Sequence, residues 1–120
     1  PVTEMIDAAK LDAIVDRTKK GGGELVQLMG TSAWYAPGAA AAQMVAAILK
    51  DEKRILPCCI KLEGQYGLKD VYLGVPVKLG KNGVESVIEL DLTADEMALL
   101  HESAGHVKEV MSAYDKMGLS

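Results

Sequence analysis

Three apolar runs in the second half of the chain constrain the fold most: Ile55–Leu62 (ILPCCIKL), Val71–Leu79 (VYLGVPVKL) and Val84–Leu92. Their links, Gly64-Gln65-Tyr66-Gly67 and Lys81-Asn82-Gly83, are far shorter than the dozen or so residues that a parallel crossover requires. The runs therefore read as an antiparallel three-stranded meander. Asn82-Gly83 is a hairpin signal, because that dipeptide readily supplies positive φ. Pro57 removes a ladder donor, which points to an edge position or an irregular start, and Pro76 limits the pairing of the second strand.

A helix follows at once. Thr93-Ala94-Asp95-Glu96 forms a capping box, in which a hydroxyl and a carboxylate satisfy each other's free amides. Met97, Leu100, Ala104, Val107, Met111 and Tyr114 then recur at spacings of 3, 4, 3, 4 and 3, one apolar face of a long helix.

Ahead of the meander the pattern is helical too. Pro1–Ile6 reads as a short extended lead-in and Asp7 as an N-cap. Leu11, Ile14, Val15 and Thr18 share a face, with charged residues opposite. Gly21-Gly22-Gly23 weakens the helix by about 1 kcal/mol per glycine relative to alanine. Since the apolar period resumes at Leu25, Val26, Leu28 and Met29, two helices or one kinked at the glycines are expected. Gly30–Pro37, GTSAWYAP, is a tight loop holding Thr31, Ser32, the only tryptophan (Trp34) and Tyr35. Pro37 fits the first helical position, where no N–H is needed. It opens an alanine-rich helix through Leu49 with Met44, Val45, Ile48 and Leu49 as an apolar stripe. Asp51–Arg54 is a polar turn. The class is α+β, with helices packed on a three-stranded antiparallel sheet and a long C-terminal helix, and 120 residues make one domain or half of a larger one.

Charge narrows the function classes. A net charge of −4 without a basic cluster argues against nucleic acid or an anionic membrane as partner. The longest uncharged run, Leu25–Leu49, is broken by Gly30 and Pro37, so no membrane span is expected. The N-terminus has no basic start before an apolar stretch, so no signal peptide is expected. Adjacent Cys58 and Cys59 cannot staple distant segments, and they point to opposite faces of a strand. Two reduced thiols in a cytoplasmic setting are expected. The chain opens on Pro1, which implies that an initiator methionine or a longer upstream part has gone.

The residues of the isolated chain do not assemble a complete catalytic set. Gly21–Gly23 follows a helix and lacks the strand–turn–helix context of a phosphate cradle. His101 and His106, five apart on one helix, lie well over a right angle apart, so they cannot share a metal and read as surface residues. Asp51 and Arg54 read as a solvated charge pair, and Ser32 has no adjacent base. What remains is a polar, aromatic loop braced on a helix, a common place for a binding site.

From Gly30 through the capping box, the chain resembles the C-terminal half of the malate and lactate dehydrogenases, most closely the lactate-dehydrogenase-like malate dehydrogenases of bacteria. S-A-W-Y-A-P-G, D-E-K-R-I-L-P-C, L-G-V-P-V followed by G-K-N-G-V, and L-T-A-D-E match in order, and the likeness covers essentially all 120 residues. The resemblance implies a lactate/malate dehydrogenase C-terminal-domain-like fold and NAD-dependent oxidation of (S)-malate to oxaloacetate, a tricarboxylic acid cycle step. It implies an upstream Rossmann domain that binds NAD. The catalytic histidine, its aspartate and the substrate-clamping arginines would lie upstream of residue 1, so no catalytic residue is carried over and the chain alone is expected to be inactive.

Ser32 and Ala33 match positions lining the substrate pocket, and Pro37 matches the position packing near the nicotinamide ring. Small Ala33 leaves room for a substrate bulkier than pyruvate, the dicarboxylate. The apolar helix faces exceed what three strands could cover, so a homodimer or homotetramer is expected. The alternative is a non-catalytic, helix-mediated oligomerisation module; a thiol redox role for Cys58-Cys59 is the third reading.

Overall fold

The structure, a computed structural model, describes residues 2–118. A 3₁₀ turn, Val2–Glu4, replaces the expected extended lead-in, and Ile6 N–H donates to the Val2 carbonyl at 3.1 Å. Helix α1 spans Ala8–Met29, α2 Tyr35–Leu49, strands β1 Arg54–Glu63, β2 Lys69–Gly80 and β3 Gly83–Val87, and helix α3 Ala94–Lys116. Packing divides the chain into two compact units, Pro1–Ala41 and Ala42–Ser120.

In the first unit, Asp7 caps α1 by accepting the Lys10 amide at 2.9 Å. The helix runs unbroken through Gly21–Gly23, against the expectation of two helices or a kink. Arg17 donates twice to Glu24 across the glycines, at 3.2 and 2.9 Å, and Lys20 holds Asp16 at 2.8 Å. Such exposed pairs contribute about 0.3 kcal/mol each and offset only part of the glycine cost. The true stop is Gly30, whose left-handed φ of 70° lets its N–H reach the Val26 carbonyl at 2.9 Å. No residue of α1 is buried.

The second unit holds the core. The sheet order is β1-β2-β3, both pairs antiparallel, as the short turns require. Leu56, Cys58, Ile60 and Leu62 of β1 face Val77, Val75, Leu73 and Val71 of β2. Met97, Leu100, Ala104 and Val107 of α3 close over that face with Tyr66 and Leu68, while Tyr114 stays exposed. Cys58 is buried and its neighbour Cys59 exposed, both as free thiols on opposite faces of β1.

Pro57 and Pro76 lie directly opposite one another. Neither has an N–H, so a non-hydrogen-bonded pair between β1 and β2 is the one place where two prolines cost that ladder nothing. β1 is an edge, as Pro57 suggests, but Pro76 sits in the central strand. Its carbonyl accepts the Ile88 amide at 2.8 Å on the β3 side, and its missing donor cannot return the bond. There the ladder ends. β3 therefore stops at Val87 rather than running to Leu92, and Leu92 joins the core from an irregular connector.

The capping box is present as expected. Glu96 N–H donates to Thr93 Oγ1 at 3.3 Å, and Thr93 N–H donates to Glu96 Oε2 at 2.8 Å. The Thr93 amide first, then the Thr93 hydroxyl, which donates to Glu96 Oε2 at 2.8 Å, hold the Glu96 carboxyl below its ordinary range. No described helix is long and apolar enough to cross a membrane.

Candidate functional site

The loop after Gly30 presents its polar and aromatic groups outward. Thr31 and Ser32 are exposed, Ala33 is half-buried, and Trp34 and Tyr35 are 69% and 80% exposed. Neither the Ser32 nor the Thr31 hydroxyl is engaged by another group among the described residues. Free hydroxyls beside exposed rings can donate and accept toward a bound molecule without first breaking an internal bond.

Helix α2 begins at Tyr35, earlier than expected, so Pro37 is its third residue and not its first. The position remains compatible with proline, because the first helical bond is made by Gly38, whose N–H donates to the Trp34 carbonyl at 3.0 Å. The first turn's amides have no helical acceptor in any case. Ser32, Ala33 and Pro37 thus share one loop and the helical turn that continues it, and Pro37 offers an exposed apolar ring. A groove of about 480 Å³ lies elsewhere, along α1, lined by Ile14, Arg17, Thr18, Gly21, Glu24 and Leu25.

Other polar candidates resolve into structure. Asp51 does not pair with Arg54 as expected. Its Oδ1 accepts the Lys81 amide at 2.9 Å and lies 3.0 Å from Lys53 Nζ, which also reaches Glu85 at 2.6 Å. Asp51 and Lys53 both adopt left-handed backbone, φ 52° and 54°, and that tight turn aims both side chains at the β2–β3 hairpin. The Lys81 amide first, then the lysine, hold the Asp51 carboxyl below its ordinary range. His106 is exposed, and no group of metal-ligating side chains occurs among the described residues. Burial pushes the Cys58 thiol up, away from thiolate chemistry.

Sequence reasoning missed Tyr66. In the turn between β1 and β2 it takes a left-handed backbone (φ 55°, ψ 23°), which costs a non-glycine residue on the order of 1 kcal/mol. Its amide donates to Glu89 Oε2 at 2.8 Å, its hydroxyl donates to the Ile88 carbonyl at 3.2 Å, and that same oxygen accepts the Leu90 amide at 3.0 Å. His101, exposed as expected, nevertheless places Nε2 2.9 Å from the Tyr66 carbonyl. A carbonyl only accepts, so the ring proton sits on Nε2.

A meander under one long helix in one unit, and in the other a long helix leading into an open hydroxyl-and-aromatic loop, define a class. The chain belongs to the lactate/malate dehydrogenase family as its alpha/beta C-terminal domain, which matches residues 2–117. Within the family it is similar to the malate dehydrogenase of Cytophaga hutchinsonii, 69% identical over 96% of this chain and 37% of that protein. It is likewise similar to the malate dehydrogenase of Salinibacter ruber, 66% identical over 89% of this chain and 34% of that protein. The solved structure of the Salinibacter enzyme superposes with a TM-score of 0.91 at 61% identity, over 98% of this chain and 38% of that one. The chain thus spans a little over a third of the relatives it matches.

Proposed function

We propose that this chain is the substrate-side and assembly part of an NAD-dependent malate dehydrogenase, acting with an upstream Rossmann half that holds the cofactor. The observation that carries the reading is the 69% identity to a malate dehydrogenase across nearly the whole chain. The open Gly30–Trp34 loop supports it. In this reading Ser32 donates or accepts a hydrogen bond at the malate or oxaloacetate oxygens. Ala33 leaves space for the second carboxylate, and Pro37 lays its ring against the nicotinamide edge.

The residues present fit only that end of the cofactor: an exposed proline three residues from an exposed indole offers apolar surface to a flat ring. NAD, when bound, supplies the hydride acceptor. The proton-transferring histidine–aspartate pair and the carboxylate-clamping arginines belong, in this proposal, to the upstream half. Two free cysteines accord with a reducing cytoplasm.

Assembly is the second part of the reading. Ile14, Val15, Leu25, Val26 and Met29 on α1 are exposed, an unusual amount of apolar surface for a helix left without a partner. We place a homodimer or homotetramer contact there. If catalysis is absent, this face is what remains, as a plain oligomerisation module. Mixing the chain with its separately expressed upstream half and following NADH absorbance with oxaloacetate tests the enzyme reading. Turnover restored only in the mixture is expected; binding without turnover leaves the module.

A further inference from the structure

We propose that the connector 88–93, between β3 and α3, is a strap that opens as a unit and is latched by the Tyr66 hydroxyl. The cause is Pro76. One step beyond the Val77–Val87 pair, the register sets Pro76 opposite Ile88. Ile88 donates to the Pro76 carbonyl at 2.8 Å, yet proline has no N–H to give back, so the Ile88 carbonyl is left to find another donor. The Tyr66 hydroxyl takes that place at 3.2 Å. The same oxygen accepts the Leu90 amide at 3.0 Å, so one atom performs the work of two ladder bonds.

Little else holds the strap. Glu89, Leu90 and Asp91 are exposed, and only Leu92 packs on the core before the capping box begins at Thr93. The latch residue is itself held from two sides. Glu89 accepts its amide and His101 meets its carbonyl, which together fix the left-handed turn that aims the phenol at the strap. Segments with few buried contacts and singly supported amides are those that open below the global unfolding free energy. This inference concerns the fold alone and stands apart from the reaction proposed above.

Peptide-resolved amide hydrogen exchange on the intact protein tests it. Tyr66→Phe keeps the buried ring and removes the latch, and it is expected to speed exchange across 88–93 by roughly tenfold while Val71–Val77 of β2 keeps its wild-type rate. Glu89→Ala, an exposed substitution, is expected to speed exchange in both 64–68 and 88–93 with β2 again unchanged. Unaltered exchange across 88–93 in Tyr66→Phe overturns the proposal. So does an equal rise in strap and β2, or outright unfolding of that variant, since either means that no separate unit exists to be latched.

Discussion

Lys53 Nζ lies 2.6 Å from Glu85 Oε1, across 32 residues of chain, and the same ammonium stands 3.0 Å from Asp51 Oδ1. The pair closes over Gly80. A Cβ built there would meet Glu85 Oε1 at 2.5 Å and Asp51 Oδ1 at 2.8 Å. The absence of a side chain at 80 is therefore what allows two carboxylates and a lysine to converge. Gly80→Ala is expected to push the carboxylates off Lys53 and to change stability only slightly, because the atoms that a Cβ would meet are the mobile ends of side chains and the ion pair is solvent-exposed. Chemical denaturation at equal slope checks it.

The same cluster sets a pH dependence with a definite sign. The folded state lowers the Asp51 carboxyl, through the Lys81 amide first and Lys53 second. Its stabilisation is thus present above the ordinary aspartate range and disappears as pH falls through the lowered folded value. Lys53 is raised, mainly by Glu85 and then by Asp51, so its share is present below the ordinary lysine range and is lost as pH rises through the raised value. Denaturation midpoints for wild type and Asp51→Asn are expected to differ at neutral pH and to converge in acid.

The α3 cap titrates in the same sense. Thr93→Ala removes the hydroxyl that accepts the Glu96 amide and is expected to cost about 1 kcal/mol. Because the Glu96 carboxyl is lowered by the Thr93 amide and then by the hydroxyl, wild-type stability gains this contribution above the ordinary glutamate range and loses it in acid. In Thr93→Ala that acid-side slope is expected to be shallower. Midpoint against pH for the two proteins measures the difference.

Local chemistry decided which parts of this structure were legible. Asn82-Gly83, the Thr93–Glu96 box and the 3–4 spacing from Met97 each carry their own geometry, and the structure has all three. The strand limits were not local. β3 ends at Val87 because Pro76, eleven positions earlier, withholds a donor, and no reading of Val84–Leu92 by itself contains that fact. Gly21–Gly23 misled for the opposite reason. Propensity counts three weak positions, but a weak position lowers stability without dictating a kink, and α1 continues through all three. Asp51 looked paired with Arg54 because both are near in sequence, but left-handed turns at 51 and 53 aim the side chains at Lys81 and Glu85 instead. At the loop, Ser32, Ala33 and Pro37 were found through resemblance alone; Ser32 and Pro37 are exposed and Ala33 half-buried, and Pro37's place in α2 shifted by two residues.

The glycines give a stability prediction of the opposite direction. A Cβ at Gly22 or Gly23 meets nothing within 4 Å, and neither residue needs positive φ. Gly22→Ala is expected to stabilise α1 by about 1 kcal/mol, through reduced freedom of the unfolded chain and better helix propensity. Thermal unfolding checks the gain.

The substrate assignment makes the sharpest demand on the loop. If Ala33 leaves the space for a second carboxylate, filling it should penalise the dicarboxylate more than a smaller keto acid. Ala33→Leu in the complete enzyme is expected to lower kcat/KM for oxaloacetate by tenfold or more relative to pyruvate, about 1.4 kcal/mol of discrimination. If Ser32 bonds the substrate as proposed, Ser32→Ala removes one hydrogen bond and is expected to lower kcat/KM for both by roughly ten-fold, since it leaves the shape of the pocket intact. Steady-state NADH assays with the two keto acids separate the roles. A Ser32→Ala effect confined to one substrate, or an Ala33→Leu effect equal on both, removes these residues from the parts assigned to them. An open hydroxyl and a small neighbour on one exposed loop are compatible with discrimination by shape at 33 and by hydrogen bonding at 32, and the ratio of the two penalties measures how far those contributions are independent.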